Sequence, residues 1–283
     1  MRILSIQSSV SYGHVGNSAA VFPLQRMGHE VMPVATVVFS NHTGYGAWGG
    51  THIPAETVRD IVRGIDERGG LDDVELVLSG YQGGSDIGDA ILDAVALVKQ
   101  RNPQARYACD PVLGSATTGC FVAPEVQTLI RDRVVPRADL ITPNQFELGF
   151  LTGTNPLSLD ETLAAVDLVR EAGPQQVLVT SVLRPNREPD TIEMLAVTED
   201  GAWLVATPHL PFHANGSGDV TTAIFSTLLR ESGDPAAALA RTAASVFELL
   251  DTTHRSGQRE LQLIESQDAY VRPSRTFPVT RVR

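Results

Sequence analysis

VELVLSGYQGGSDIGDAILDAVALVKQRNPQARYACDP, residues 74–111, decides the architecture. Its opening, VELVLSGY (74–81), has the near-continuous apolar character of a strand buried on both faces. Asp86 to Arg101 then carries apolar residues at helical spacing, and ARYACDP (105–111) is a second strand that stops at Pro111. Strand, helix and strand in this order form a βαβ unit, whose strands lie parallel and whose crossover is right-handed.

The alternation continues outward from that unit. On its N-terminal side ILSIQSS (3–9) is a strand, GNSAAVFPLQRMG (16–28) a helix closed by Gly28, and VMPVATVVF (31–39) a strand. TVRDIVRGIDERGG (57–70) follows as a helix with Val58, Ile61, Val62 and Ile65 on one stripe. On its C-terminal side ADLITPN (138–144) is a short strand and FELGFLTG a helix running into Gly153. LDETLAAVDLVREAG (159–173) is an amphipathic helix whose acidic start suits its dipole, and QQVLVTSV is a core strand. IEMLAVTEDGAWLVAT reads as a hairpin around Glu199-Asp200-Gly201. HANGSGDVTTAIFSTLLRE is a glycine turn opening a helix, and two more helices run to about Asp268. No linker, repeat or low-complexity stretch interrupts the series. Residues 1–283 therefore read as a single doubly wound α/β domain, a mostly parallel sheet flanked by helices.

Composition narrows the function classes. A net charge of −11 argues against nucleic acid and anionic membranes as partners, though a helix N-terminus can still hold a phosphate within an acidic protein. No window approaches the roughly 18 unbroken apolar residues of a membrane span. MRILSIQSSV has one basic residue and no small-residue cleavage signal, so a secretory leader is not expected. Two cysteines, Cys109 and Cys120, are too few for a disulfide framework, and the expected setting is cytoplasmic. Lys99 is the sole lysine. It lies in ALVKQRN, which is no Walker P-loop, and it is poorly placed to anchor a pyridoxal phosphate cofactor.

In a doubly wound sheet, ligands bind outside the carboxyl ends of the strands. The residues there are Ser8 and Ser9; Asn41-His42-Thr43-Gly44; Gly80-Tyr81; Asp110; Thr142, Asn144 and Glu147; Thr180-Ser181; and Gly216-Ser217-Gly218-Asp219. The last group says most. Two glycines turn the chain sharply into a helix and expose N–H groups that suit a transferring phosphoryl, and Asp219 in the first turn could accept a hydroxyl proton. The same pattern also fits a helix start with an acidic residue on its dipole. Asp110 and Glu147 are either a Mg²⁺ site for nucleotide phosphates or caps of the following helices. Tyr81 either stacks on a flat ring or is an ordinary half-buried tyrosine. Cys109 is expected buried in its strand and Cys120 exposed in the loop GSATTGC; His14 and His42 lack metal-ligand spacing.

IQSSVSYGHVGNSAAVFPLQRMG, VVFSNHTGYGAW, LSGYQG, ACDPVLG, ITPNQFEL, LVTS and GSGD occur in that order. With these motifs the chain resembles the pyridoxal kinases of the ribokinase-like superfamily, from Ile3 to about Asp268. The resemblance implies transfer of the γ-phosphoryl of ATP to the 5′-hydroxymethyl of pyridoxal, with pyridoxine and pyridoxamine as further acceptors. It places Ser8 and Thr43 at the polar edge of the pyridine ring, with Gly44 adding backbone contacts and Tyr81 packing on the ring. Asp110, Thr142 and Glu147 become the nucleotide and cation shell, with Mg²⁺ and a monovalent cation, K⁺ or Na⁺. Thr180 and Thr207, Pro208, His209 and Leu210 correspond to nucleotide-binding positions. Asp219 corresponds to the catalytic base, and Gly216, Ser217 and Gly218 to the anion hole. A homodimer with one site per subunit is also implied. Two departures stand out: Thr180 replaces the lysine of many bacterial members, and the stretch from Pro208 to Gly216 is short. A hydroxymethylpyrimidine or sugar kinase, or a vitamer carrier without turnover, are the alternatives. Cys120, beyond a strand's carboxyl end, either adds to the aldehyde of pyridoxal as a thiohemiacetal or touches nothing.

Overall fold

Residues 1–283 are all described by the computed structural model. The first half contains β1 (Arg2–Val10), α1 (Asn17–Arg26), β2 (Glu30–Phe39), β3 (Gly50–His52), α2 (Ala55–Asp66), β4 (Val74–Ser79), α3 (Ser85–Arg101) and β5 (Arg106–Cys109). A small hairpin, β6 (Gly114–Ser115) with β7 (Gly119–Cys120), precedes α4 (Pro124–Leu129), β8 (Leu140–Ile141), α5 (Gln145–Thr152) and α6 (Leu159–Glu171). Then come β9 (Gln176–Val182), β10 (Thr191–Thr198), β11 (Gly201–Pro208), α7 (Ser217–Ser232), α8 (Pro235–Ser256), α9 (Gln267–Val271) and β12 (Val279–Arg281).

Ten strands form one sheet in the order β12-β11-β10-β9-β8-β5-β4-β1-β2-β3. From β2 to β9 every pairing is parallel, while β3, β10, β11 and β12 add antiparallel margins. The mostly parallel α/β architecture read from the sequence is thus the observed one. Strand order reverses at β1, whose successor β2 lies on one side and β4 on the other, so the cleft at the ends of β1 and β4 is the topological switch point.

The strands read as apolar runs because both faces are covered. Leu4, Ile6, Val77, Tyr107 and Ile141 pack under α2 to α6, whereas Ile3, Leu76, Leu78, Ala108 and Leu140 pack under α1, α7 and α8. Each fully buried Leu or Ile contributes about 1.5–3 kcal/mol, and alternation sends successive residues to opposite layers.

Two expectations change. GSATTGC is not a free loop: Gly114 pairs with Cys120 and Ser115 with Gly119, and Cys120 is half-buried rather than exposed. Lys99, in the last turn of α3, is not free: it makes an ion pair of 2.8 Å with Asp139, just before β8 and on the sheet edge away from the strand carboxyl ends. No helix is long and apolar enough to cross a membrane.

Candidate active site

α1 and α7 both start at the switch point, and their first turns build the site. A β-carbon on Gly16, which precedes α1, would lie 2.3 Å from Ser8 Oγ, so this turn backs directly onto the end of β1. The backbone N–H groups of Gly16 and of Asp219 itself lie near the Asp219 carboxylate, in the first turn of α7, and pull its pKa down. Gly80, just after β4, completes the corner: its β-carbon would sit 2.6 Å from Gln7 Oε1 and 3.5 Å from Asp219 Oδ1. Ser8, Gly16, Gly80 and Asp219 are therefore one locus.

Asp219 opens to the cleft along one edge but is otherwise enclosed by protein. That enclosure pushes its pKa up to about 6, against the pull of the two N–H groups. Asp110 lies across the same floor, with Oδ2 3.4 Å from where a Gly218 β-carbon would be. Burial first, then the charges of Glu147 and Asp219, drive the Asp110 pKa well above the carboxylate range; the nearby Thr222 hydroxyl works the other way. Thr222 also shares a 2.6 Å hydrogen bond with Thr142.

Glu147 caps α5, one of the two roles the sequence allowed. Oε2 accepts from Asn144 N–H at 2.9 Å while Asn144 Oδ1 accepts from Glu147 N–H at 2.9 Å, a reciprocal cap of α5. Oε1 accepts from the N–H groups of Leu113 and Gly114 at 2.8 and 3.2 Å. Even so, burial outweighs these donors and lifts its pKa to about 7. No three His, Cys, Asp or Glu side chains converge closely enough to hold a metal directly.

Beside Asp110, α7 follows its N-cap residue Gly216, which has φ 86° and no side-chain cap. Its first-turn N–H groups are left to a ligand, and the helix dipole favours an anion there. Ser217 turns its hydroxyl back to the Ala214 carbonyl at 3.1 Å.

The remaining predicted residues fall on either side. Tyr81 is half-buried against Val10, Val15, Val37 and Phe39, and its carbonyl accepts from Thr36 Oγ1 at 2.8 Å. Thr43 and Gly44 lie on a 3₁₀ turn capped by His42, whose Nδ1 accepts from Gly44 N–H at 3.0 Å. Toward the antiparallel margin, Thr180 lies within β9, two residues before its end, with its N–H donating to the Pro143 carbonyl at 2.9 Å. Buried Thr207 pairs with Ile192, while Pro208 and His209 are exposed and Leu210 half-buried at the end of β11. Thr180 and the Thr207–Leu210 run thus stand apart from the Asp219 corner. Burial, reinforced by the charge of Glu147, raises the Cys120 pKa, which disfavours the thiolate from which a thiohemiacetal forms most readily.

Sequence reasoning missed Thr222, Gln7 and the residues around Glu260. Thr222 carried a usable signal, since it follows Asp219 by three positions and so shares its helix stripe.

Residues 24–263 match the family described as phosphomethylpyrimidine kinase. The pyridoxal kinase PdxY of Leifsonia xyli subsp. xyli is 61% identical over 100% of both chains, and that of Corynebacterium diphtheriae 58% over 100% of both. Pyridoxal kinase from Leishmania donovani in complex with ADP and pyridoxamine superposes with a TM-score of 0.93 at 28% identity, covering 100% of this chain and 99% of that one.

Proposed function

The chain belongs to the pyridoxal kinase family, and from that premise we propose direct in-line transfer of the γ-phosphoryl of ATP to the 5′-hydroxymethyl of pyridoxal, with Asp219 as base. Phosphorylation of a B6 vitamer with ATP is the activity of the family. The observation that carries the residue assignment is the Asp219 carboxylate at the β1–β4 switch point, beside the uncapped start of α7. A base there can take the hydroxyl proton while the N–H groups of Gly216, Ser217 and Gly218 receive the charge of the moving phosphoryl.

Ser8, Thr43 and Gly44 hold the polar edge of the vitamer and Tyr81 its face. Thr142, Thr180 and Thr207–Leu210 line the adenine-nucleotide side. Asp110 and Glu147 fit a hydrated Mg²⁺: they are buried and mutually repelling, with Glu147 oxygens already engaged by N–H groups, so they act through water. When bound, that ion and a monovalent cation, K⁺ or Na⁺, would neutralise phosphate charge. Sheet strands drawn from Arg2 through Arg281 support one kinase domain over 1–283. The resemblance supports a homodimer, and the two free cysteines fit a cytoplasmic setting.

An ADP-release assay with pyridoxal, pyridoxine, pyridoxamine and hydroxymethylpyrimidine tests this reading. Turnover of the pyrimidine ahead of all three vitamers would overturn the substrate assignment, and absence of ADP release would make the chain a carrier.

Two variants divide the cleft. Tyr81→Ala raises KM for pyridoxal about fivefold, the equivalent of about 1 kcal/mol of aromatic contact, and leaves KM for ATP unchanged. A rise for ATP instead reverses the two halves of the site. Glu147→Gln removes the charge behind the cation shell and raises the Mg²⁺ concentration for half-maximal rate about tenfold. An unchanged Mg²⁺ titration reduces Glu147 to the cap of α5.

A further inference from the structure

The phosphoryl-transfer reading makes no use of the segment after α8, yet that segment reaches the mouth of the cleft. The Tyr45 hydroxyl donates to Glu260 Oε1 at 2.6 Å, across 215 residues of sequence. The backbone N–H of His14 donates to Glu260 Oε2 at 3.0 Å. One carboxylate therefore ties the turn that carries Thr43 and Gly44 to the loop between β1 and α1. Arg259 adds a second strap, its guanidinium carbon 3.7 Å from the centroid of the Tyr45 ring and its Nη2 donating to the Gly44 carbonyl at 2.9 Å.

The turn needs such support. Thr43–Tyr45 has no buried residue, so core packing does not fix it. The hydrogen bonds made by His42 and Asn41 stay within the same loop, to Gly44 and Ala47, and cannot set its position relative to the sheet. Apart from its strand ends and an edge-on contact of the Tyr45 ring with Tyr12, 6.0 Å between centroids, the contacts that locate it run through Glu260 and Arg259.

We propose that Glu260, aided by Arg259, is a positioning residue for the vitamer: it latches the Tyr45 turn in the place where Thr43 and Gly44 meet the substrate. The latch rests on the reading of Thr43 and Gly44 as vitamer contacts. Its contacts run to Tyr45, Gly44 and His14 and to no residue of the Thr142–Thr180 side, so KM for ATP is left alone.

The test compares Tyr45→Phe, Glu260→Ala and the double variant with Thr43→Ala, measuring KM for pyridoxal and for ATP, kcat and thermal midpoint. Tyr45→Phe deletes one hydroxyl from a surface turn and keeps the ring beneath Arg259, so it retains the fold even if Glu260→Ala does not. The latch predicts that each single variant raises KM for pyridoxal about tenfold, the loss expected for a hydrogen bond to a charged group. It also predicts unchanged KM for ATP and a double variant no worse than the poorer single one, because both substitutions break one contact. Equal rises for pyridoxal and ATP, additive effects, or no change in the singles overturn it. If Thr43→Ala raises KM for pyridoxal while the latch variants do not, the latch alone is wrong. If none of them does, the vitamer reading of the turn falls with it.

Discussion

Asp219→Asn lowers kcat by roughly 10²–10⁴-fold, the range for loss of a general base, while the fold and ATP binding persist. The pH profile carries the diagnostic. Wild-type kcat/KM rises with pH through about 6, as the enclosed carboxyl ionises, and that limb disappears in the variant. The stability effect has the opposite sense. A folded pKa raised from 3.8 to about 6 favours folding when the group is protonated, so this contribution is present below about 4 and lost as pH rises through about 6. At pH 8 the unliganded wild type therefore bears the cost of a buried carboxylate, on the order of 3 kcal/mol, which the amide removes. Thermal melts of the unliganded proteins should show the variant more stable at pH 8 and the gap closing toward pH 4. A variant within about threefold of wild-type kcat removes Asp219 from the chemistry.

Gly216→Ala is the second large effect, and its origin is steric. At φ 86° the added β-carbon would fall 1.9 Å from the His14 carbonyl oxygen, a backbone atom that cannot swing aside. The start of α7 must move, carrying both the N–H cradle and Asp219. A displacement near 1 Å costs about 10² in rate, so kcat/KM should fall by about 10²-fold or more. Gly233→Ala is the control: it lies at the far end of α7 with φ 64° and nothing within 4 Å of its β-carbon. It carries the conformational strain, about 1–2 kcal/mol, without the collision. Activity lost equally in both would mean that general destabilisation, rather than the cradle, is responsible.

The parallel centre was legible because two-sided burial leaves its mark along each strand, as in VELVLS and LVT. The strand-end rule then gathered Ser8, Asp110 and Asp219 from separate loops, and the geometry brings Ser8 and Asp219 to Gly16 and places Asp110 beside Gly218. What escaped was short or distant. β3 and β12 span three residues each at the sheet margins, and β6 and β7 two each, too few for periodicity to register. α4, six residues after Ala123, was lost for the same reason. Glu260 could not be read at all, because its role exists only where the chain returns to Tyr45. The capping role of Glu147 was legible from Asn144 three residues before it; its grip on Leu113 and Gly114 was not.

The pairing of Lys99 with Asp139 bears on what happens after turnover. Pyridoxal 5′-phosphate is an aldehyde that condenses with accessible amines, and a kinase bristling with lysines would be gradually derivatised by its own product. Here the one ε-amine is held by a carboxylate 2.8 Å away, at the amino ends of the strands and so across the sheet from the Asp219 corner. Arginine carries the rest of the positive charge, and its guanidinium does not form a simple imine. The composition and that single ion pair leave the released aldehyde few partners on the molecule that made it.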